Sequence, residues 1–119
     1  MRELITTLPG GPSSPGLARA ALADRFGDGV GPDCAATLGL LSSEVVTNCV
    51  QHAQAAPGVP IELRAWMLSG SVHVEVSTDS PPFRAVGRGR GLSLVDELSR
   101  SWGVVDNGRN TVWFKVAVG

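Results

Sequence analysis

The chain has 119 residues, 43% hydrophobic and 18% charged, which suits one domain with a real core and excludes a disordered chain. Ten basic residues, nine of them arginine, stand against eleven acidic ones for a net charge of −1, so no global field favours nucleic acid. No apolar run approaches the ~18–20 residues of a membrane span, and Met1-Arg2-Glu3-Leu4 lacks a signal-peptide core, so no membrane is expected and the compartment is expected to be the cytoplasm.

Residues 2–8 read as a short strand. After the loop Pro9-Gly10-Gly11-Pro12-Ser13, Ser14 is expected to cap a helix with Pro15 at its first position. That helix runs to Arg25 or Phe26, buries Leu17, Ala21 and Phe26, and stops at Gly27. Pro32 opens a longer helix, to about Ala55, with Leu38, Leu41, Val45, Cys49 and Ala53 as its apolar stripe. Residues 61–68 and 72–77 alternate apolar with polar and form a hairpin about Ser69-Gly70-Ser71. A Pro- and Gly-containing loop covers 78–90. Leu92, Val95 and Leu98 mark a third helix. Val104-Val105, the turn Asp106-Asn107-Gly108 and Thr111–Val118 make a second hairpin. The order β-α-α-β-β-α-β-β predicts one α+β two-layer domain over 1–119, with a mostly antiparallel sheet and its helices on one face.

Cys34 and Cys49 share the long helix about 22 Å apart, too far for a disulfide, and read as buried small apolar residues. Trp66, Trp102 and Trp113 read as packing residues.

The segment Ser43-Glu44-Val45-Val46-Thr47-Asn48-Cys49-Val50-Gln51-His52 spaces Glu44, Asn48 and His52 by four, on one helical face. A carboxamide oxygen can hold Mg²⁺, and a carboxylate one turn away can take a proton from an incoming hydroxyl. An ordinary solvated helix face would look the same, and spacing alone does not decide.

In Pro81-Pro82-Phe83-Arg84-Ala85-Val86-Gly87-Arg88-Gly89-Arg90-Gly91-Leu92, three alternate glycines and three arginines lead into a helix without an acid. Backbone N–H groups at such a junction can form an anion site. The run is neither a Walker A loop nor a dinucleotide fingerprint. A turn-rich surface loop, or a basic RNA-binding loop short of stacking aromatics, is an alternative reading.

Taken together, the Glu-x-x-x-Asn-x-x-x-His helix, the hairpin, the glycine loop and Thr111-Val112-Trp113-Phe114 resemble the GHKL ATPase superfamily over nearly the whole chain. The wording Ser-Glu-Val-Val-Thr-Asn-Cys-Val-Gln-His-Ala resembles its anti-sigma-factor serine kinases. The resemblance implies a Bergerat fold with ATP between the helical layer and a lid. It implies Asn48 as the Mg²⁺ ligand, Glu44 as the general base and His52 in support. Gly87, Gly89 and Gly91 would meet the phosphates, Arg88, Arg90 and Leu92 would belong to the same ATP site, and Thr111 would lie near adenine. The implied partners are a sigma factor and an anti-anti-sigma (STAS-type) protein whose Ser or Thr is phosphorylated, with no direct nucleic acid. A homodimer through the sheet edge or first strand is also implied, of which the sequence itself gives no sign.

Two departures stand out. The Asp that normally meets the adenine amino group is replaced by Thr78, with the acid one place later at Asp79. Either the strand end bulges to bring Asp79 in, or Thr78 makes a neutral contact, at a cost of about 1.5–3 kcal/mol. The lid is also short, with only about ten residues between Ser80 and Gly91. The alternatives are a protein-binding module of the same fold with weak or no ATP binding, and an unrelated nucleic-acid binder using Arg84, Arg88 and Arg90.

Overall fold

The computed structural model describes residues 2–52, 59–79, 92–106 and 108–118, with residue 52 described by its backbone alone. The elements follow the expected order: β1 (Glu3–Leu8), α1 (Ser14–Phe26), α2 (Pro32–His52), β2 (Ile61–Leu68), β3 (Ser71–Thr78), α3 (Ser93–Leu98), β4 (Ser101–Asp106) and β5 (Asn110–Ala117). The strands form a sheet in the order β1-β2-β3-β5-β4. Every ladder is antiparallel.

Alternation along the strands gives the sheet two unlike faces. Leu63, Ala65, Val72, Val74, Val76, Val112, Phe114 and Val116 point to the helical side and are buried. Their neighbours Glu62, Arg64, Glu75 and Lys115 point the other way and are only partly buried. The helices lie on the apolar side: α2 packs on β3 and β5 and is flanked by α1 and α3, while α1 also meets β1. The core is therefore a layer between α2 and the middle of the sheet.

Helix α1 departs from expectation in two details. Its N-cap is Ser13, without a side-chain cap bond. The Ser14 hydroxyl instead accepts the Gly10 N–H at 3.0 Å, which ties the preceding loop down. Its inward residues are Ser14, Ala18, Leu22 and Phe26, whereas Leu17 is 46% exposed. Small residues at 14 and 18 let α1 come close to α2; a leucine there would hold the two backbones apart. Leu98 in α3 is likewise exposed, while Leu92 and Val95 are buried.

Gly70 (φ +75°) and Gly108 (φ +98°) supply the left-handed residues of the two hairpin turns. Both cysteines are free and buried, as the sequence implies. Burial pushes the Cys34 thiol up and the Cys49 thiol up to about 12. Trp102 lies on the helical side and donates its indole N–H to Asp96 Oδ1 at 2.8 Å, linking β4 to α3. Trp66 and Trp113 lie on the face away from the helices, either side of His73, with ring centroids 4.4 and 5.6 Å from it.

Candidate functional site

The polar residues of α2 do not lie opposite its apolar stripe. Buried side chains run Cys34, Leu38, Leu41, Ser42, Val45, Val46, Asn48 and Cys49. At 100° per residue, Asn48 lies about 60° from Val45 around the axis, inside the buried arc. It is 2% exposed, and Glu44, one turn earlier, sits half-buried at the arc's border. Glu44 takes part in no ion pair among the described residues. His52 ends the helix, and its side chain lies outside the described residues.

Most buried polar groups in this layer are satisfied. Ser42, for example, donates to the Leu38 carbonyl at 2.7 Å. The carboxamide oxygen of Asn48 is different: buried, with no hydrogen-bond partner among the described residues. A buried acceptor left unpaired inside a protein costs about 1–3 kcal/mol, so a ligand that paired it would recover that cost. A neutral amide oxygen is a hard ligand of the kind Mg²⁺ takes, and Mg²⁺ commonly uses only one or two protein oxygens beside phosphates. The residue present therefore fits such an ion.

Across the layer, two more polar residues interrupt the apolar face of the sheet. Thr78, fully buried, pairs with Asn110, 4% exposed, at the end of the β3–β5 ladder. The Thr78 hydroxyl makes a long bond of 3.5 Å to the Pro60 carbonyl. No bulge intervenes, because the ladders stay in step through Ile61↔Thr78 and Thr78↔Asn110. The strand end thus keeps Thr78 on the helical side and sends Asp79 away. Asp79 accepts from Arg109 Nε at 3.0 Å, and Arg109 Nη1 also reaches Glu62 Oε1 at 3.2 Å. The three side chains are 73%, 42% and 34% exposed, a solvated clamp across the ends of β2, β3 and β5.

Thr111 is not brought to this layer. It lies on the face away from the helices, with its hydroxyl 2.8 Å from that of Ser77. The cause is strand parity: Val112, Phe114 and Val116 point inward, so Asn110 does too, and Thr111 cannot. The pattern Asn110-Val112-Phe114-Val116 was the sequence signal for Asn110. Leu92 is placed in the core, 3% exposed, just before α3. Gly87, Arg88, Gly89, Arg90 and Gly91 lie outside the described residues, as does the short lid.

No described helix is long and apolar enough to cross a membrane. No curated protein matches the chain. The family model for the histidine kinase-like ATPase domain does match, over residues 16–116, and that span takes in α2 with Glu44 and Asn48, the ladder end at Thr78 and Asn110, and α3. With a two-layer fold of that kind and a family match over most of its length, the chain belongs to the histidine kinase-like ATPase domain family, within the GHKL superfamily.

Proposed function

We propose that the chain binds ATP with Mg²⁺ between α2 and the helical side of β3 and β5, and transfers the terminal phosphoryl group to a protein serine or threonine. The observation that carries this reading is the buried Asn48 oxygen, without a partner among the described residues, one turn from the half-buried carboxylate of Glu44. Asn48 would hold the metal, which when bound offsets charge on the transferring group. Glu44 accepts the proton of the attacking hydroxyl or orients it. Thr78 and Asn110 face the base, with Asn110 in the place expected of Thr111. Gly87, Gly89 and Gly91 supply backbone N–H groups to the phosphates. The wording of the α2 motif supports an anti-sigma-factor kinase, which would bind a sigma factor and phosphorylate an anti-anti-sigma protein.

A second reading has its own observation. Asp79 is committed to Arg109 on the other side of the strand end, and Thr78 offers adenine only a neutral group. On that reading, the chain is a protein-binding module whose nucleotide affinity has decayed.

Calorimetric titration separates the two. The kinase reading expects ATP binding that needs Mg²⁺ and is lost in Asn48→Ala, with Mg²⁺-dependent phosphorylation of the partner lost in the same variant. Absence of binding in the wild type rejects it in favour of the module.

A further inference from the structure

The face of the sheet away from the helices carries a second basin, far from Asn48. It lies at the turn end of the β2–β3 hairpin, has a volume of about 610 Å³, and is lined by Leu68, Ser69, Ser71, Arg100, Ser101 and Lys115. Ser71 and Thr78 are opposite ends of β3, about 23 Å apart at the usual strand rise, and they point to opposite faces.

Two cationic residues line it. The Arg100 backbone N–H donates to the Lys115 carbonyl at 2.7 Å, which fixes the two residues side by side. Arg100 Nη1 donates to the hydroxyl of buried Ser71 at 3.4 Å. Lys115 Nζ stands 5.9 Å from the centre of the Trp113 ring. The ion pairs among the described residues use Arg64, His73 and Arg109, so neither Arg100 nor Lys115 has a carboxylate partner there. Two cations without a carboxylate partner among the described residues, and three serine hydroxyls, thus line one concave site.

We propose that this basin binds a phosphate group, as a phosphate monoester or inorganic phosphate. A phosphate monoester brings nearly two negative charges and three free oxygens, which match two cations and several hydroxyl donors better than one carboxylate does. Arg100 gives a planar fork and Lys115 a point charge. A nucleic-acid strand is a poorer fit, because the face beyond the basin carries Glu62, Glu75 and Asp79. The volume exceeds that of orthophosphate alone, and Leu68, 41% exposed at the rim, offers apolar contact to whatever carries the phosphate.

The test is a titration of the ¹⁵N-labelled full chain at constant ionic strength, read by amide shifts. Its arms are inorganic phosphate, N-acetyl-phosphoserine amide, its unphosphorylated serine counterpart, and chloride. The expected result is saturable shifts at Ser69, Ser71, Arg100, Ser101 and Lys115 with both phosphates and neither control. Arg100→Gln and Lys115→Gln should each weaken binding roughly tenfold or more, as loss of a charge-assisted bond implies. Unmoved Val74 and Phe114 amides show that the variants stay folded. Asn48→Ala should leave the titration unchanged, which keeps this site separate from the nucleotide reading. Binding of phosphoserine at least tenfold tighter than of inorganic phosphate identifies a phosphorylated side chain as the source, and parity identifies the free ion. Shifts that rise linearly and equally with chloride, that survive both variants, or that gather at Asn48 and Thr78 instead would overturn the proposal.

Discussion

At the scale of single residues, the proposed nucleotide site turns on one strand position. Thr78 points to the helical side, and Asp79 leaves it for Arg109. A carboxylate in place of Thr78 would add a charge-assisted bond to an adenine amino group. Thr78→Asp is therefore expected to tighten ATP binding about ten- to a hundredfold in calorimetry. Asp79→Asn removes only a solvated ion pair and should change affinity by no more than about twofold. An unchanged affinity in Thr78→Asp would show that position 78 does not meet the base. Arg109 was not legible beforehand, because residues 62, 79 and 109 are brought together only by the register of three strands. The inward direction of Asn110 was legible in its parity with Val112 and Phe114, whereas the Thr-Val-Trp-Phe motif points to Thr111, which the ladder turns to the other face.

At the scale of elements, the sequence carried most of the fold. Clean alternation at 61–68 and 72–77 fixes both strands and the turn between them. Helix α1 was harder to orient, because alanines at 18, 20, 21 and 23 make several faces equally apolar; packing on α2 chose the one with Ser14 and Ala18. Strand β4 shows a constraint that no pattern displays. A Cβ on Gly103 would stand 2.8–3.0 Å from the Trp113 indole, which lies across that backbone. Gly103→Ala must push the indole aside and should cost about 1–3 kcal/mol, the usual range for overpacking. Denaturant unfolding measures that loss, and a shift in tryptophan emission should accompany it. A variant of wild-type stability and emission would mean that Trp113 yields freely.

At the scale of the whole molecule, burial of the α2 thiol links stability to alkaline pH. Folding raises the Cys49 pKa from 9.0 to about 12 through desolvation. Below pH 9 both states hold the proton and the group makes no difference to pH dependence. Between pH 9 and 12 the unfolded thiol ionises while the folded one cannot, so stability falls as pH rises, by about 1.4 kcal/mol per unit for this group alone. Urea unfolding from pH 8 to 11 should show a shallower alkaline decline in Cys49→Ala than in the wild type. Identical slopes would mean that the folded thiol ionises as easily as the unfolded one.

Strand order also governs what this architecture can gain or shed. β1 occupies one border of the sheet and shares a ladder with β2 alone. The family match begins at residue 16, beyond β1 and inside α1. A border strand can be added, lengthened or lost across a lineage without re-registering any other strand. β3 and β5, each held between two neighbours, have no such freedom. The strand free to change and the strands that carry Thr78 and Asn110 are thereby separated by topology, so a change at the β1 margin leaves the interior ladders in step.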